Sequence, residues 1–287
     1  MQKSNGFLNK PKTINCNGKL LDVSSPLVMG ILNITPDSFF DGGRYKDNKF
    51  VLQRLTKMLK EGADIIDIGA YSSRPGAQHI SEKEELKRLL SVLELARNKF
   101  PDSIISVDTF RSEIAKQVVK TFQVDIINDI SAGEMDDRMF QTVAELNVAY
   151  IMMHMKGTPQ NMQLNPFYEK DVVFEVIDYL AEKKRKLGLL GVHDVIIDPG
   201  FGFGKSMEHN YELMKRLNEL KLLELPLLIG ISRKSMIYKL FNGTPEEALN
   251  GTTALNMLAL ERGAEILRVH DVKEARECVG IYKKLRG

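Results

Sequence analysis

The sequence predicts an α/β fold, a single-domain (β/α)8 TIM barrel preceded by an N-terminal β-hairpin. Three observations lead to this prediction. Short apolar runs alternate with amphipathic stretches along the chain, as in parallel strands connected by helices. Eight such units follow one another, and eight units close a barrel. The alternative, an open doubly wound sheet, needs two edge strands, and none of the runs carries the charges or proline that protect an edge.

Length and composition fit one large domain. The chain has 287 residues, of which 43% are hydrophobic, enough for a substantial core, although length alone also allows two domains. The formal net charge is +2, from 40 basic and 38 acidic residues, which gives no general attraction for nucleic acid. We therefore expect no nucleic-acid partner.

The cysteines and the apolar runs suggest a compartment. Cys16 and Cys278 lie near opposite ends of the chain without metal-ligand spacing, which favours a reduced protein without disulfides. The first residues lack the apolar core of a signal peptide, and no apolar run approaches the roughly 20 residues of a membrane helix. We expect a cytoplasmic protein without a membrane partner.

The first two strands are predicted as a hairpin. Residues 13–16 and 19–23 flank Asn17-Gly18, a pair that supplies the positive φ angles of a two-residue type I′ turn. We interpret this hairpin as a structural cover in an N-terminal segment, residues 1–25, and assign residues 26–287 to the barrel.

The barrel units are read from apolar runs that end in polar residues. The run at 27–32 is apolar on both faces, as in a strand sandwiched between two layers, and a helix with Val51, Leu55 and Met58 on one face follows it. The other predicted strands are 65–69, 104–108, 125–129, 149–154, 195–198, 227–231 and 265–270. Helices are predicted at 82–99, around 114–119, around 172–180 and at 272–284.

Polar residues gather where these strands end. In a barrel the carboxyl ends of all strands meet at one mouth, and a bland scaffold would continue there with Val, Ile or Leu. Polarity at this rim therefore indicates a functional site. The residues are Asn33, Ser73, Arg74, Asp108, Asn128, His154, Asp198, Lys234, Arg268 and His270.

The run 195–205, VIIDPGFGFGK, is the most informative of these stretches. It is not a phosphate-binding P-loop, which would need glycine at Pro199, nor a dinucleotide fingerprint, which would need glycine at Lys205. An ionised Asp198 only accepts hydrogen bonds, so it suits a ring edge with adjacent N–H donors, such as an aminopyrimidine. The alternative is a turn former before Pro199.

Three polar residues also have simpler interpretations. Asn128 could open a loop. His154 lies among three methionines and is better interpreted as a packed side chain than as a catalytic base. Asp67 lies mid-strand, where it could be a buried, hydrogen-bonded support, so we place it outside the site.

Eight short motifs follow one another along the chain: 29–39 (MGILNITPDSF), 72–76 (SSRPG), 107–109 (VDT), 127–129 (IND), 153–155 (MHM), 198–205 (DPGFGFGK), 232–235 (SRKS) and 268–271 (RVHD). In this order they resemble the dihydropteroate synthase family over nearly the whole chain. Ala70-Tyr71 and Ser73 depart from the family pattern, which commonly has Gly-Glu and Thr at those positions.

The resemblance implies a reaction and a set of roles. The family joins 4-aminobenzoate to (7,8-dihydropterin-6-yl)methyl diphosphate, giving 7,8-dihydropteroate and pyrophosphate in folate biosynthesis. We expect a dissociative path in which the C–O bond breaks before the amine attacks. The expected catalytic residues are Asp108, Lys234 and Arg74. The expected pterin diphosphate ligands are Ser73, Asp108, Asn128, Asp198, Lys234, Arg268 and His270.

The resemblance also implies a second substrate site, a metal and an oligomer. Asn33 resembles the family's magnesium ligand, and one protein oxygen suits Mg²⁺, which keeps waters and takes oxygens from substrate phosphates. A homodimer is expected, and a sulfonamide is expected to compete with 4-aminobenzoate. The expected 4-aminobenzoate residues are Ser73, Arg74, Pro75, Phe203, Lys234 and Ser235.

Three alternative functions stay open at this point. A methyltransferase barrel that binds a pterin would share the ring pocket but has no evident need for a diphosphate site. An aldolase would use Lys234 as a Schiff-base nucleophile. A pterin-binding module without turnover would bind the diphosphate substrate and form no product.

Overall fold

The computed structural model describes residues 13–34, 48–73 and 79–286. Eight parallel strands pair in the order β8-β7-β6-β5-β4-β3-β10-β9. The ring is closed by a bridge between Ile197 and Leu227, beside which the Ile197 N–H donates to Pro226 O at 2.9 Å. This confirms the (β/α)8 barrel and contradicts the open sheet. The strands are β1 Thr13–Cys16, β2 Lys19–Asp22, β3 Leu27–Asn33, β4 Ile65–Gly69, β5 Ile104–Asp108, β6 Ile126–Asp129, β7 Ala149–Met153, β8 Val195–Asp198, β9 Leu228–Ile229 and β10 Ile266–Val269.

Helices alternate with these strands. Helix α2 shows why the sequence folds this way locally: Ser81 caps its first turn by accepting the Glu84 N–H at 3.2 Å, and acidic residues begin the helix while basic residues end it, as the helix dipole favours. None of the helices in the described ranges is long and apolar enough to cross a membrane. The helices are α1 Asn48–Lys60, α2 Glu82–Lys99, α3 Ser112–Phe122, α4 Met139–Leu146, α5 Val172–Leu189, α6 Met207–Lys215, α7 Ser235–Tyr238, α8 Leu249–Glu261 and α9 Val272–Arg286.

Two apolar cores lie on the two faces of the barrel wall. In β3, Val28 and Leu32 belong to the same buried cluster as Leu55 and Met58 of α1, whereas Met29 belongs to a second cluster inside the barrel. This alternation follows from the two-residue period of a strand. Burying a side chain of this size contributes about 1.5–3 kcal/mol, so the two clusters hold the wall from both sides.

The predicted hairpin is present and packs on the amino-terminal end of the barrel. Asn17 and Gly18 have φ angles of 51° and 88°, as a type I′ turn requires. Ile14 and Cys16 are part of the inner cluster, and the Asn15 N–H donates to Asp194 Oδ1 at 2.7 Å, just before β8. The hairpin therefore covers the end opposite the polar mouth. The boundary between residues 25 and 26 stays a prediction.

One predicted strand is shorter than expected. The sequence predicts a strand at 227–231, but β9 contains only Leu228–Ile229. The carbonyl of Ile231 accepts the Lys234 N–H at 3.1 Å, so Ile231 already belongs to the turn that follows. This early exit from the sheet leads the chain directly to Lys234.

Candidate active site

The carboxyl ends of the central strands carry one row of residues on the inner face of the barrel. Strand pairing places Asn33 opposite Gly69, Gly69 opposite Asp108, and Asp108 opposite Asn128. Each lies an even number of residues beyond a member of the inner cluster, so it faces the same interior. A Cβ atom on Gly69 would lie 3.3 Å from Asp108 Cβ and 3.6 Å from Asn33 Oδ1. The glycine therefore allows Asn33 and Asp108 to approach each other.

Arg268 lies between two carboxylates. Its Nε donates to Asp67 Oδ2 at 2.7 Å, and its Nη2 donates to Asp108 Oδ2 at 2.7 Å. Burial raises the pKa of Asp108 to about 7, Arg268 opposes this rise, and the neighbouring Asp67 adds to it. The guanidinium expected to hold a diphosphate is thus already oriented, and both carboxylates face it from the barrel interior.

Asp67, which was interpreted from the sequence as a buried, hydrogen-bonded support outside the site, contacts two of the predicted site residues, Arg268 and Asn128. It is fully buried, and its Oδ2 also accepts from Asn128 Nδ2 at 3.2 Å. The strand alternation is the signal that indicates its position. Asp67 lies two residues before Gly69 and therefore faces the barrel interior, in a strand whose other residues are apolar. A carboxylate at that depth needs partners inside the barrel.

Asp198 and Lys234 form the opposite side of the mouth. Asp198 is buried, and its Oδ1 accepts the Gly200 N–H at 2.7 Å. Burial raises its pKa, and Lys234 is the strongest opposing influence. Desolvation of the half-buried Lys234 lowers its pKa to about 8, while Asp198 acts to raise it. The two groups therefore lie close enough to set each other's charge.

Asp198 and Arg268 lie on either side of Gly230. A Cβ atom on Gly230 would be 3.8 Å from Asp198 Oδ2 and 3.9 Å from both Cβ and Cδ of Arg268. Asp198 and Arg268, the residues predicted to bind the ring and the diphosphate, are therefore neighbours at the same end of the barrel.

The loop after Asp198 is held by side-chain donors. Lys205 Nζ donates to Gly200 O at 2.9 Å and to Phe203 O at 3.1 Å, and it lies 2.8 Å from His154 Nδ1. Lys234 Nζ donates to Phe201 O. Both Lys205 and His154 are buried, and burial lowers the pKa of each well below its usual value. His154 therefore supports the loop as a packed neutral side chain, and Lys205 is a second residue that sequence reasoning did not assign.

Phe203 and Lys234 line the outer part of the mouth. The Lys234 ammonium lies 4.6 Å from the centre of the Phe203 ring, so ring and stem form one wall. Ser235 follows at the start of α7 and is exposed, and Ser73 is half-buried at the end of the chain segment that follows β4. Arg74 and Pro75 lie outside the described residues.

His270 lies two residues beyond Arg268 at the same end of β10. Its N–H donates to Ser232 Oγ at 3.1 Å, and its carbonyl accepts from Arg54 Nη2 at 2.6 Å. Burial and the charges of Arg268 and Arg233 lower the pKa of His270 to about 4. The imidazole is therefore neutral near pH 7 and offers an anion one N–H donor without a charge of its own.

Tyr71, which departs from the family pattern, is buried below the rim. Its hydroxyl lies 3.2 Å from His79 Nδ1 and accepts from Gln160 Nε2 at 3.0 Å. Its ring packs edge-on against Phe110, with ring centres 5.0 Å apart. Tyr71 therefore joins the segments before and after residues 74–78, and it is not a surface residue.

A family model described as pterin binding enzyme matches residues 29–270 of the chain. Dihydropteroate synthase of Escherichia coli K12 is 43% identical over 268 residues, which cover 93% of this chain and 94% of that protein. The chain belongs to the dihydropteroate synthase family. Dihydropteroate synthase of Haemophilus influenzae is 41% identical over 269 residues, which cover 93% of this chain and 96% of its length.

Solved structures of the same family share the fold. Yersinia pestis dihydropteroate synthase, in complex with a sulfonamide drug, has a TM-score of 0.89 and 40% identity, covering 96% of this chain and 99% of that one. Xanthomonas albilineans dihydropteroate synthase, with 4-aminobenzoic acid, has a TM-score of 0.88 and 35% identity, covering 97% and 99%. As a dihydropteroate synthase this chain is a transferase of folate biosynthesis. This assignment decides against the methyltransferase and the aldolase.

Proposed function

We propose that the mouth at the carboxyl ends of the barrel strands condenses (7,8-dihydropterin-6-yl)methyl diphosphate with 4-aminobenzoate, releasing pyrophosphate. The observation that supports the proposal is that hydrogen-bond acceptors and positively charged side chains lie around the same opening. Asp198 and Asn128 offer acceptors to a ring, while Arg268 and Lys234 offer fixed positive charge. The relatives solved with a sulfonamide and with 4-aminobenzoic acid support the same choice of substrates.

The pterin ring is proposed to bind on the buried floor. Asp198 Oδ2 faces the space next to Gly230 and can accept from the amino and ring N–H groups. The Lys234 ammonium has three N–H groups, and one of them is used by Phe201 O, so it can also donate to the ring carbonyl oxygen. Asn128 completes this edge with its amide.

The leaving diphosphate is proposed to bind at the rim, near Arg268. Nε and Nη2 of Arg268 are held by Asp67 and Asp108, which leaves the N–H groups of Nη1 without a carboxylate among the described residues. His270 can add a neutral donor, and Ser73 and Arg74 are proposed to contact the same group. Fixed donors stabilise negative charge as it develops on the departing oxygen.

Asp108 is proposed to face the methylene carbon that carries the diphosphate. In a dissociative path this carbon becomes cationic before the amine attacks, and a carboxylate beside it stabilises that charge. Only Oδ2 of Asp108 is bonded to Arg268, so the carboxylate is not fully neutralised by its partner.

Magnesium is proposed to bind at Asn33. Among the described residues no group of three or more His, Cys, Asp or Glu side chains could hold a metal ion. Mg²⁺ does not need such a cage, because it keeps several waters and takes oxygens from phosphates. The amide Oδ1 of Asn33, which lies over Gly69 beside Asp108, is a hard oxygen donor of the kind it prefers. When bound there, the metal would supply positive charge to the leaving group.

4-Aminobenzoate is proposed to bind against Phe203 and the stem of Lys234. The ring can pack between Phe203 and Pro75, and its carboxylate can meet Ser235, with Ser73 and Arg74 on the other side. The contact between the Lys234 ammonium and the Phe203 ring places this wall next to the proposed pterin floor. A sulfonamide with the same aniline shape is expected to compete there.

The experiment that tests the function is a coupled assay for pyrophosphate, run with both substrates and Mg²⁺. Pyrophosphate and dihydropteroate are expected in equal amounts, and neither is expected when 4-aminobenzoate is omitted. Tight binding of the pterin diphosphate without any product would instead identify a binding module. Release of pyrophosphate without pteroate would contradict the condensation.

The pH dependence of kcat/KM for the pterin diphosphate is expected to be bell-shaped. Asp108 acts as a carboxylate, and because its pKa is raised to about 7, activity rises as pH increases through that value. Lys234 acts as an ammonium, and because its pKa is lowered to about 8, activity falls as pH increases further. The two limbs report the free enzyme's interacting groups. An alkaline limb near the ordinary lysine value of 10.5 would contradict the lowered pKa of Lys234.

A homodimer in the cytoplasm is also proposed. Large apolar side chains are exposed on neighbouring outer elements, as on a surface that packs against another chain. Sedimentation at micromolar concentration is expected to give twice the mass of the chain, and a monomer there would contradict the dimer. The exposed apolar residues are Leu240, Phe241, Leu258, Ile281 and Leu285.

The cytoplasmic location is proposed from the cysteines. Two buried free thiols, Cys16 and Cys278, fit a reducing compartment.

A further inference from the structure

We infer that Asp67 is a positioning residue: it fixes which end of the Asn128 amide faces the pterin ring, and it shares the guanidinium of Arg268 with Asp108. This inference deepens the proposed function and rests on it. Asp67 is fully buried in the barrel interior. A single oxygen, Oδ2, accepts from Asn128 Nδ2 and from Arg268 Nε, and it lies 2.6 Å from Arg268 Nη2. One carboxylate oxygen therefore connects a group under the proposed ring site with a group at the proposed diphosphate site.

The bond to Asn128 decides the orientation of its amide. The two ends of an asparagine amide are chemically opposite, one a donor and the other an acceptor, and its hydrogen-bond partners decide which end points where. Because an ionised carboxylate only accepts, the NH₂ group of Asn128 must face Asp67. The Oδ1 atom is then directed away from Asp67, and we place it toward the ring, as an acceptor in addition to Asp198. A ring edge that carries N–H donors matches this pattern.

Arg268 makes Asp67 necessary for this orientation. Arg268 Nε and Asn128 Nδ2 approach the same oxygen, at 2.7 and 3.2 Å, so the two donors are close neighbours. Without a carboxylate between them, the best acceptor for the guanidinium on that side is Asn128 Oδ1. The amide would then turn over and present its NH₂ group to the ring, donor against donor.

Asp67 also divides the guanidinium between two carboxylates. Arg268 Nη2 contacts Asp67 and Asp108, at 2.6 and 2.7 Å. This sharing leaves Asp108 with one hydrogen bond to Arg268 and prevents the bidentate pairing that a guanidinium otherwise forms with a single carboxylate. Asp108 thereby keeps charge available for the reacting carbon.

The variant that tests the inference is Asp67→Leu, which removes the acceptor at similar size. Two probes separate the halves of the substrate: 6-hydroxymethyl-7,8-dihydropterin for the ring and pyrophosphate for the leaving group. Asp67→Leu is expected to weaken ring binding roughly 10- to 100-fold, the loss that accompanies one or two charge-assisted bonds. Pyrophosphate binding is expected not to weaken, because a buried negative charge has been removed. General damage to the barrel would weaken both.

The conservative variant Asp67→Asn is expected to retain the ring binding that Asp67→Leu loses. Its amide oxygen can keep the place of Oδ2, and its NH₂ group can donate to Ser106 Oγ, which is the register partner of Asp67 and has no hydrogen-bond partner among the described residues. Ring binding within about threefold of the unsubstituted protein is expected, since the acceptor is kept. Ser106→Ala is the matched control from the same layer and is expected to leave both probes unchanged.

Asp67→Ala, which only removes atoms, replaces the leucine variant if that variant does not fold, as judged by thermal unfolding. Either Asp67 variant is then combined with Asn128→Ala. Because Asp67 is inferred to act through Asn128, the double variant is expected to bind the ring probe no more weakly than Asn128→Ala alone. Unchanged ring binding in Asp67→Leu, an equal loss of pyrophosphate binding, or additive effects with Asn128→Ala would each overturn the inference. If the unsubstituted protein binds neither probe, the proposed function fails instead.

Discussion

Replacing Asp198 with Asn is expected to lower kcat/KM for the pterin diphosphate by roughly 100- to 10,000-fold, or about 3–5 kcal/mol of lost binding. An asparagine has the same shape, but one of its two ends donates. It would therefore place a donor against a ring N–H group, and it would leave the nearby ammonium of Lys234 without its carboxylate. The measurement is initial-rate kinetics together with calorimetric binding of the pterin.

Asp194 provides the matched control for this substitution. It immediately precedes β8, the strand that Asp198 ends, but it lies at the hairpin end of the barrel, where its Oδ1 accepts the Asn15 N–H at 2.7 Å. Asp194→Asn keeps that acceptor and is expected to leave kinetics unchanged. Activity of Asp198→Asn within tenfold of the unsubstituted protein, or an equal loss in Asp194→Asn, would contradict the placement of the ring on Asp198.

A second result follows from the same substitution. Asp198 acts to raise the pKa of Lys234, against the desolvation that lowers it. In Asp198→Asn that support is gone, so Lys234 is expected to lose its proton at a lower pH. The alkaline limb of any remaining activity should move below pH 8, and a limb that stays in place would show that the two groups do not interact.

The barrel could be predicted from the sequence because its strands are apolar on both faces and end in polar residues. Such a run, for example β3, has no solvent-facing side, so it must lie between an inner core and outer helices. The end of β9 was predicted less well. Gly230 and Ile231 continue the apolar pattern, but the strand ends early because the Lys234 N–H donates to Ile231 O in a turn. The local sequence does not predict that hydrogen bond.

The site was predictable only where a polar residue ends a strand. Asp198 is the last residue of β8, and Asn128 and Arg268 are next to the last in β6 and β10. Asp67 lies one residue deeper, two before the end of β4, and its importance depends on partners 61 and 201 residues away in sequence. Lys205 was used only as an argument against a dinucleotide site, although its Nζ donates to Phe203 O at 3.1 Å and so holds the loop that presents Phe203. Contacts of this kind are tertiary, so spacing along the chain carries no signal for them.

Replacing Gly200 with Ala is expected to destabilise the protein by more than about 4 kcal/mol, a loss typical of steric strain at a special backbone position. Gly200 has a φ angle of +70°, which costs an L-residue about 1–2 kcal/mol. A Cβ atom there would also overlap the carbonyl oxygen of His154 and lie 3.0 Å from its carbonyl carbon. Neither atom can move easily, because the His154 N–H donates to Asp198 O at 3.0 Å between β7 and β8. Denaturant unfolding measures the loss.

Gly202→Ala separates the clash from the backbone angle. Gly202 lies in the same loop with a φ angle of +80°, but its Cβ would meet only Lys234, whose Cδ would be 3.4 Å away. This variant is therefore expected to lose only the angle contribution, about 1–2 kcal/mol. Equal losses in the two variants would mean that the loop shifts freely away from His154. In that case Lys205 and His154 would not hold it, and the position of Asp198 would not depend on the close contact between this loop and β7.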